Sequence, residues 1–454
     1  MINTSDLDRK INEQIPATID ELKTLCRQPS IAAQGEGMEA CSQLVGQMLE
    51  ARDFHVQIMP TDGYPVVYAE RQGRADRTLL LYNHYDVQPP EPLELWTTPP
   101  FEPSLRDGKL YARGVSDDKG HISCRLAAID AFLEAEGELP CNVKFIIEGE
   151  EEIGSPNLDS FVAENRELLA ADACLWEFGG VDHDGRPVLY AGLRGILYVE
   201  LRVQTASLDA HSGLGGSIFP NAAWRLTWAL ASLKGRDEHI RLPGFYDPIQ
   251  PPSDFDRELL DQLPDDSEDL LDRYGLEDFI KGLDGGLEFK REKLFSPTCT
   301  ICGLISGYQG DGSKTVLPAE ATAKVDFRLV PDQDPEQVLQ QLRDHLDRLG
   351  FKDVEIVELG DEPPGRTDPS DPFLQMVAAE AEPIYGQPQL IQPMSGGSGP
   401  IHPFLEHLQV PVATVGISYP GSRAHAPDEN IIIDQLVNGI RHTTRVMAKF
   451  SGRE

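Results

Sequence analysis

The sequence predicts an α/β fold with a mostly parallel central sheet flanked by helices, interrupted by an inserted α+β domain. Three observations lead there. Short apolar runs alternate with stretches of helical periodicity through the first part of the chain, as crossover connections between parallel strands require. The pattern then changes to apolar alternation in "AGLRGILYVELRVQT" (Ala191–Thr205), which suits a half-exposed antiparallel strand. Finally, 454 residues is long for one core, so two domains are expected.

The elements follow in order. Residues 11–25 and 38–51 carry apolar side chains at helical spacing, with "CRQPSIAAQGEG" as the loop between them. "RTLLLYNHYDV" (Arg77–Val87) reads as a buried strand with a polar end, and "HISCRLAAIDAFLEAEG" (His121–Gly137) as a helix. "CNVKFIIEGE" (Cys141–Glu150) and "ADACLWEFGG" (Ala171–Gly180) are further strands, separated by the helix-like "SPNLDSFVAENRELLA". Beyond Ala191–Thr205 come a helix (Asn221–Leu233) and a long Pro- and Asp-rich stretch. The strand "EATAKVDFRLVP", the helix "DPEQVLQQLRDHLDRLG" and the strand "KDVEIVELG" follow. Residues 194–362 are therefore expected to form the inserted, ferredoxin-like domain. Residues 1–193 and 363–454 would form the two parts of the main domain, with "DEPPGRTDPSDP" as the linker back.

A formal net charge of −35 repels phosphate backbones, arguing against nucleic acid or an anionic membrane as partner. Solubility is the plainer use of that charge. No run approaches the ~20 apolar residues of a membrane span. "MINTSDLDRKINEQ" lacks the basic-then-apolar order of a secretory signal. With seven scattered cysteines, this leads to the expectation of a cytoplasmic protein with reduced thiols. The close pair in "CTIC" (Cys299, Cys302) has no second pair at zinc spacing and is read as part of a strand. "GYQGDGSKT" (Gly307–Thr315) is not a phosphate loop, because Ser313 separates the glycine from the lysine and no helix follows.

Four segments place metal-type ligands at strand ends or just beyond: "NHYDVQP" (His84, Asp86), "ARGVSDDKG" (Asp117, Asp118), "EGEEEIGS" (Glu151, Glu152) and "LWEFGG" (Glu177). A late loop, "GSRAHAPDEN", adds His425. In parallel sheets ligands bind beyond the carboxyl ends of the strands. Imidazole and carboxylate together suit borderline divalent cations. Two such ions need a shared carboxylate and about two further ligands each. Alone, "EGEEEIGS" reads more plainly as a solvated acidic turn.

The ordered set resembles the M20 metallopeptidase family, which contains carnosinases, acetylornithine and succinyl-diaminopimelate deacylases, aminoacylases and glutamate carboxypeptidases. Its pattern of His-x-Asp-Val-x-Pro, Gly-x-x-Asp-x-Lys-Gly, a Glu-Glu pair and a late His is present in order. The resemblance implies two divalent ions per subunit, zinc first and manganese or cobalt as alternatives. His84 and Glu177 would bind one, Glu152 and His425 the other, and Asp117 would bridge. Asp172 and Asp182 are nearby competitors for the place of Glu177. Asp86 would orient His84, the Asp117–Asp118 peptide would be cis, and Glu151 would be the base that activates a metal-bridging water.

The inserted domain would then be a lid and dimerisation domain. In "DAHSGLGGSIFPN", His211 would reach the partner subunit's active site, making the protein a homodimer; a surface or structural histidine is the plainer reading. Arg328 in "DFRLVP" and Thr315 in "KTVLP" match positions that hold a substrate's terminal carboxylate, for which Arg has a suitable fork. A strand-face salt bridge is the other reading of Arg328. Ser398 in the Gly-rich "MSGGSGPIHPF" is a further candidate for that carboxylate, or part of a plain turn. The implied function is metal-dependent cleavage of dipeptides or similar small substrates with a free carboxylate. The alternatives are N-acyl-amino-acid deacylation and a non-catalytic metal- or ligand-binding relative.

Overall fold

The computed structural model describes residues 3–452 and divides the chain into two units. The first comprises Met1–Gly192, Arg366–Pro393 and Pro400–Glu454, and the second Leu193–Gly365 and Met394–Gly399. Among the described residues, no helix is long and apolar enough to cross a membrane.

The first unit is built on a six-stranded sheet. Its strands are β1 (His55–Met59), β2 (Val66–Arg71), β3 (Ala75–His84), β4 (Cys141–Glu148), β5 (Ala173–Trp176) and the late strand Val412–Thr414. They lie in the order β1-β2-β4-β3-β5-late strand. β3 runs parallel to β4 and β5, and the late strand parallel to β5, whereas β1 and β2 pair antiparallel at one edge. The parallel strands are apolar at their centres, where Leu79, Leu80, Leu81, Phe145, Ile146, Ile147 and Leu175 are fully buried, as strands covered on both faces require.

Helices α1 (Thr4–Arg27), α2 (Met38–Glu50) and α3 (Lys119–Glu136) join the last helix, Ile433–Phe450, around this sheet. Helix α3 is buried almost all round over its first four turns, so it shows no polar stripe. Its first residue, Lys119, donates to the carbonyls of Leu25 (3.3 Å) and Gln28 (2.6 Å) at the end of α1. The antiparallel strands β1 and β2 were absent from the sequence reading.

The second unit has the order β6 (Gly195–Gln204), α4 (Ala222–Leu233), β7 (Thr298–Ser306), β8 (Glu320–Leu329), α5 (Pro335–Arg348) and β9 (Glu355–Glu362). Its sheet is antiparallel in the order β7-β8-β6-β9, the arrangement of a ferredoxin-like βαββαβ unit. Alternation along β6 sends Leu197, Val199, Leu201 and Val203 into a core with Leu226 of α4 and Leu342 of α5. The chain from the Pro- and Asp-rich stretch to β7 forms the α-helices Asp254–Gln262, Ser267–Tyr274 and Gly286–Phe295. The first opens with a capping box between Ser253 and Asp256. Cys299 and Cys302 both lie on β7, and "GYQGDGSK" is a connection into a short strand, Val316–Leu317.

Candidate metal centre

Because β3, β4, β5 and the late strand run parallel, their carboxyl ends open on one edge of the sheet. His84 is the last residue of β3, Glu177 follows β5 directly, and Glu151 and Glu152 lie in a single helical turn after β4. Asp117 precedes α3, next to a cis Asp117–Asp118 peptide, and His425 lies in the loop after the late strand with φ at +59°. Residues separated by up to 341 positions thereby meet at one point.

Asp117 stands between the two histidines. Its Oδ1 is 3.1 Å from His84 Nε2, and its Oδ2 is 2.9 Å from His425 Nε2. Glu177 lies on the His84 side, 3.5 Å from Nε2, and Glu152 on the His425 side, at 3.1 Å. Glu151 approaches His84 Nε2 only to 4.0 Å. The competitors of Glu177 are engaged elsewhere: Asp172 accepts from the Thr78 N–H, and Asp182 from those of Asp184 and Arg186.

Asp86 is buried behind this group and braces three of its members. His84 Nδ1 is 3.2 Å from Asp86 Oδ1 and 3.1 Å from its carbonyl. Both are acceptors, so Nδ1 carries the proton and Nε2 presents its lone pair to the cluster. The other contacts of the Asp86 carboxylate are backbone N–H donors, from Glu151 (3.3 Å) and Glu152 (2.9 Å). Gln88 donates to Glu152 Oε2 at 2.9 Å.

The charge of this group is poorly balanced by the protein. Burial pushes the Glu151 carboxyl well up, with Glu152 and Asp117 adding to it and His84 opposing. Burial likewise raises Glu177, against His84 and reinforced by Glu151. Burial would lower the His84 imidazole, but Glu177, Asp117 and Asp86 overcome it and raise it. Burial also works against ionisation of Asp117, yet its hydrogen bonds with His425 and His84 hold it below the usual carboxylate range. Hydrogen bonds to Asp117 and Glu152 raise the half-exposed His425 to about 10.

Two groups of side chains converge closely enough to hold an ion: His84, Asp117 and Glu152, and His84, Asp118 and Glu177. Within the second, Glu177 Oε2 is buried with no hydrogen-bond partner. Asp118 is differently placed. One of its oxygens accepts from Asn83 Nδ2 and the His84 N–H, and the other is 2.9 Å from His121 Nδ1. A buried carboxylate oxygen without a hydrogen bond is costly unless a cation meets it, and the imidazole and carboxylate donors of both groups suit a divalent metal.

Several residues escaped the sequence reading. Arg125 of α3 is buried and donates to the carbonyls of Tyr82 and Trp176 and to Asn83 Oδ1, tying β3 to β5. Glu148 accepts from Tyr82 (2.6 Å) and Ser155 (2.8 Å), and burial pushes it up to about 7. Glu150 accepts from Asn157 at 2.7 Å. Both thus brace the turn that carries Glu151 and Glu152. Gly149 between them is needed for space, since a Cβ there would come within 2.3 Å of the Tyr85 hydroxyl.

His211, Thr315, Arg328 and Ser398 belong to the second unit. His211 is exposed on the short strand Ala210–His211, which pairs with Val316–Leu317, and the Ser212 N–H donates to the Thr315 carbonyl. Arg328 Nη1 donates to Ser398 Oγ at 2.8 Å, and its Nε lies 3.4 Å from Asp326. The four therefore form two local pairs, His211 with the Thr315 segment and Arg328 with Ser398.

The profile of peptidase family M20/M25/M40 matches residues 80–449. A Beta-Ala-His dipeptidase of Rattus norvegicus is 31% identical over 324 residues, 68% of this chain and 64% of that protein. The match thus spans less than two thirds of that relative's length. A Cys-Gly metallodipeptidase of Candida albicans is 28% identical across 95% of this chain and 88% of its own. Among solved structures, an M20 family metallo-carboxypeptidase from Sulfolobus solfataricus is 36% identical with a TM-score of 0.91, covering 96% of this chain and 99% of that one. On the extent of the family match and the fold it shares, the chain belongs to peptidase family M20/M25/M40.

Proposed function

We propose that the protein is a metal-dependent dipeptidase with two divalent ions per chain. The observation that carries this reading is the division of Asp117, one oxygen toward His84 and the other toward His425. His84 and Glu177 would hold one ion, Glu152 and His425 the other, and Asp117 both; zinc suits these donors, as do manganese and cobalt. When bound, the ions supply Lewis acidity toward the scissile carbonyl and the attacking water. Glu151 takes the proton from that water and returns it to the leaving amine nitrogen. Asp86 keeps the His84 ring oriented and the backbone of Glu151 and Glu152 in place.

Arg328, supported by Ser398, and Thr315 are assigned to the substrate's terminal carboxylate, for which a guanidinium is suited. His211 is assigned to the oxyanion in the partner subunit of a homodimer. Exposed apolar side chains of the second unit, among them Leu214, Ile218 and the stacked Trp224 and Trp228, support pairing with a second copy.

Dipeptidase activity is favoured by the dipeptidases among the relatives. A second reading, release of C-terminal residues from longer peptides, is favoured by the metallo-carboxypeptidase at 36% identity. Assays of the metal-loaded protein on Gly- and Ala-containing dipeptides, longer peptides and N-acetyl amino acids separate them. Cleavage of dipeptides is expected. Trimming of longer peptides alone would favour the second reading, and cleavage of N-acetyl amino acids alone would overturn both in favour of a deacylase.

A further inference from the structure

Glu429 lies four residues beyond His425 and is fully buried. Both of its oxygens are engaged. Oε2 accepts from Arg113 Nη1 (2.7 Å) and the Gly114 N–H (2.9 Å), and Oε1 from the N–H groups of Ser116 (2.8 Å) and Asp117 (3.0 Å). One carboxylate thus clamps the backbone that leads into Asp117, including the peptide nitrogen of Asp117 itself. The Ala112 N–H donates to the Glu429 carbonyl, extending the clamp along the same segment.

The charge on this clamp is held by Arg113, which is as deeply buried as Glu429 and also reaches the Pro89 carbonyl. The loop carrying His425 is fixed to the same frame on either side of Glu429. Asp428 accepts from the Thr97 N–H (2.9 Å) and hydroxyl (2.7 Å), and Asn430 Nδ2 donates to the Gly421 carbonyl (3.1 Å). Four donors on one fully buried carboxylate are more than a charge partner for Arg113 needs. Their placement sets how far Asp117 stands from His425, and that separation decides whether one carboxylate can serve two ions.

We propose that Glu429, held by Arg113, is a positioning residue that fixes Asp117 relative to His425, so that its loss weakens divalent-metal binding in a chain that still folds. This rests on the dinuclear reading given above. Glu429→Gln keeps the shape but turns an NH₂ group toward N–H donors, which forces one pair of them away. Outer partners of metal ligands typically contribute 10–100-fold to affinity. Metal-free protein, prepared by chelation, is titrated with Zn²⁺ and with Co²⁺ by calorimetry and by the Co²⁺ absorption spectrum, and thermal melting of the metal-free chain reports folding. At least tenfold weaker binding of one ion and an altered Co²⁺ spectrum are expected from folded Glu429→Gln. Unchanged affinities in the folded variant would overturn the proposal. If Glu429→Gln does not fold, Arg113→Lys decides, because it keeps the charge and loses the fork: at least threefold weaker binding supports the clamp and wild-type affinity refutes it. Fewer than two ions bound by the wild type would instead remove the dinuclear reading on which the proposal rests.

Discussion

Glu151 and Glu152 are sequence neighbours with different surroundings, and their chemistry divides accordingly. Glu152 accepts from Gln88 and meets His425, as a ligand would; Glu151 is part-exposed and makes no side-chain hydrogen bond to either histidine. Glu151→Gln should therefore keep its metal, measured by elemental analysis, while kcat falls by roughly 10²–10⁴. Near-normal turnover would remove Glu151 as the base. His425→Ala takes one ligand from one side of Asp117 only, so titration should find one ion weakened and the other retained. At this scale part was legible, because His84, Asp86, Glu151 and Glu152 follow apolar runs that end in polar residues, whereas Asp117 lies in a loop and was indicated only by the Gly-x-x-Asp-x-Lys-Gly resemblance. Glu429 and Arg113 were not legible, since 316 residues separate them and neither interrupts an apolar pattern.

The elements that carry these residues depend on continuous burial. Leu80 lies at the centre of β3 with no exposed surface. Leu80→Ala should destabilise the protein by about 2–5 kcal/mol in denaturant titration, with metal ligands lost only on unfolding. In the last helix His442 is buried and donates to the Val377 carbonyl at 2.9 Å, and burial lowers it to about 4. The unfolded chain, with an ordinary pKa near 6.5, binds this proton first as pH falls. The contribution is thus fully present above about pH 6.5 and is lost between there and about pH 4, up to roughly 3 kcal/mol. Urea midpoints should fall more between pH 7 and 4.5 in wild type than in His442→Gln; equal falls would contradict this. Long apolar strands and helices with clear periodicity could be read from sequence. β1 and β2 are short and bounded by irregular chain, and the helices of 254–295 have few buried residues amid many charges, so neither stood out.

For the whole molecule, the ferredoxin-like order of the second unit followed from alternation in β6 and the helical spacing of α4 and α5. Its partner surface is a matter of exposure, which sequence does not display. If His211 serves the partner subunit, mixing inactive Glu151→Gln and His211→Ala chains should restore part of the activity in heterodimers. No recovery in verified heterodimers would place His211 elsewhere. The central claim is that Asp117 bridges two ions, and anomalous scattering from crystals of metal-loaded protein tests it most directly. Two peaks are expected, one beside His84 and Glu177 and one beside Glu152 and His425, each within bonding distance of a different Asp117 oxygen. A single peak, or two peaks with Asp117 bound to only one, would contradict the account.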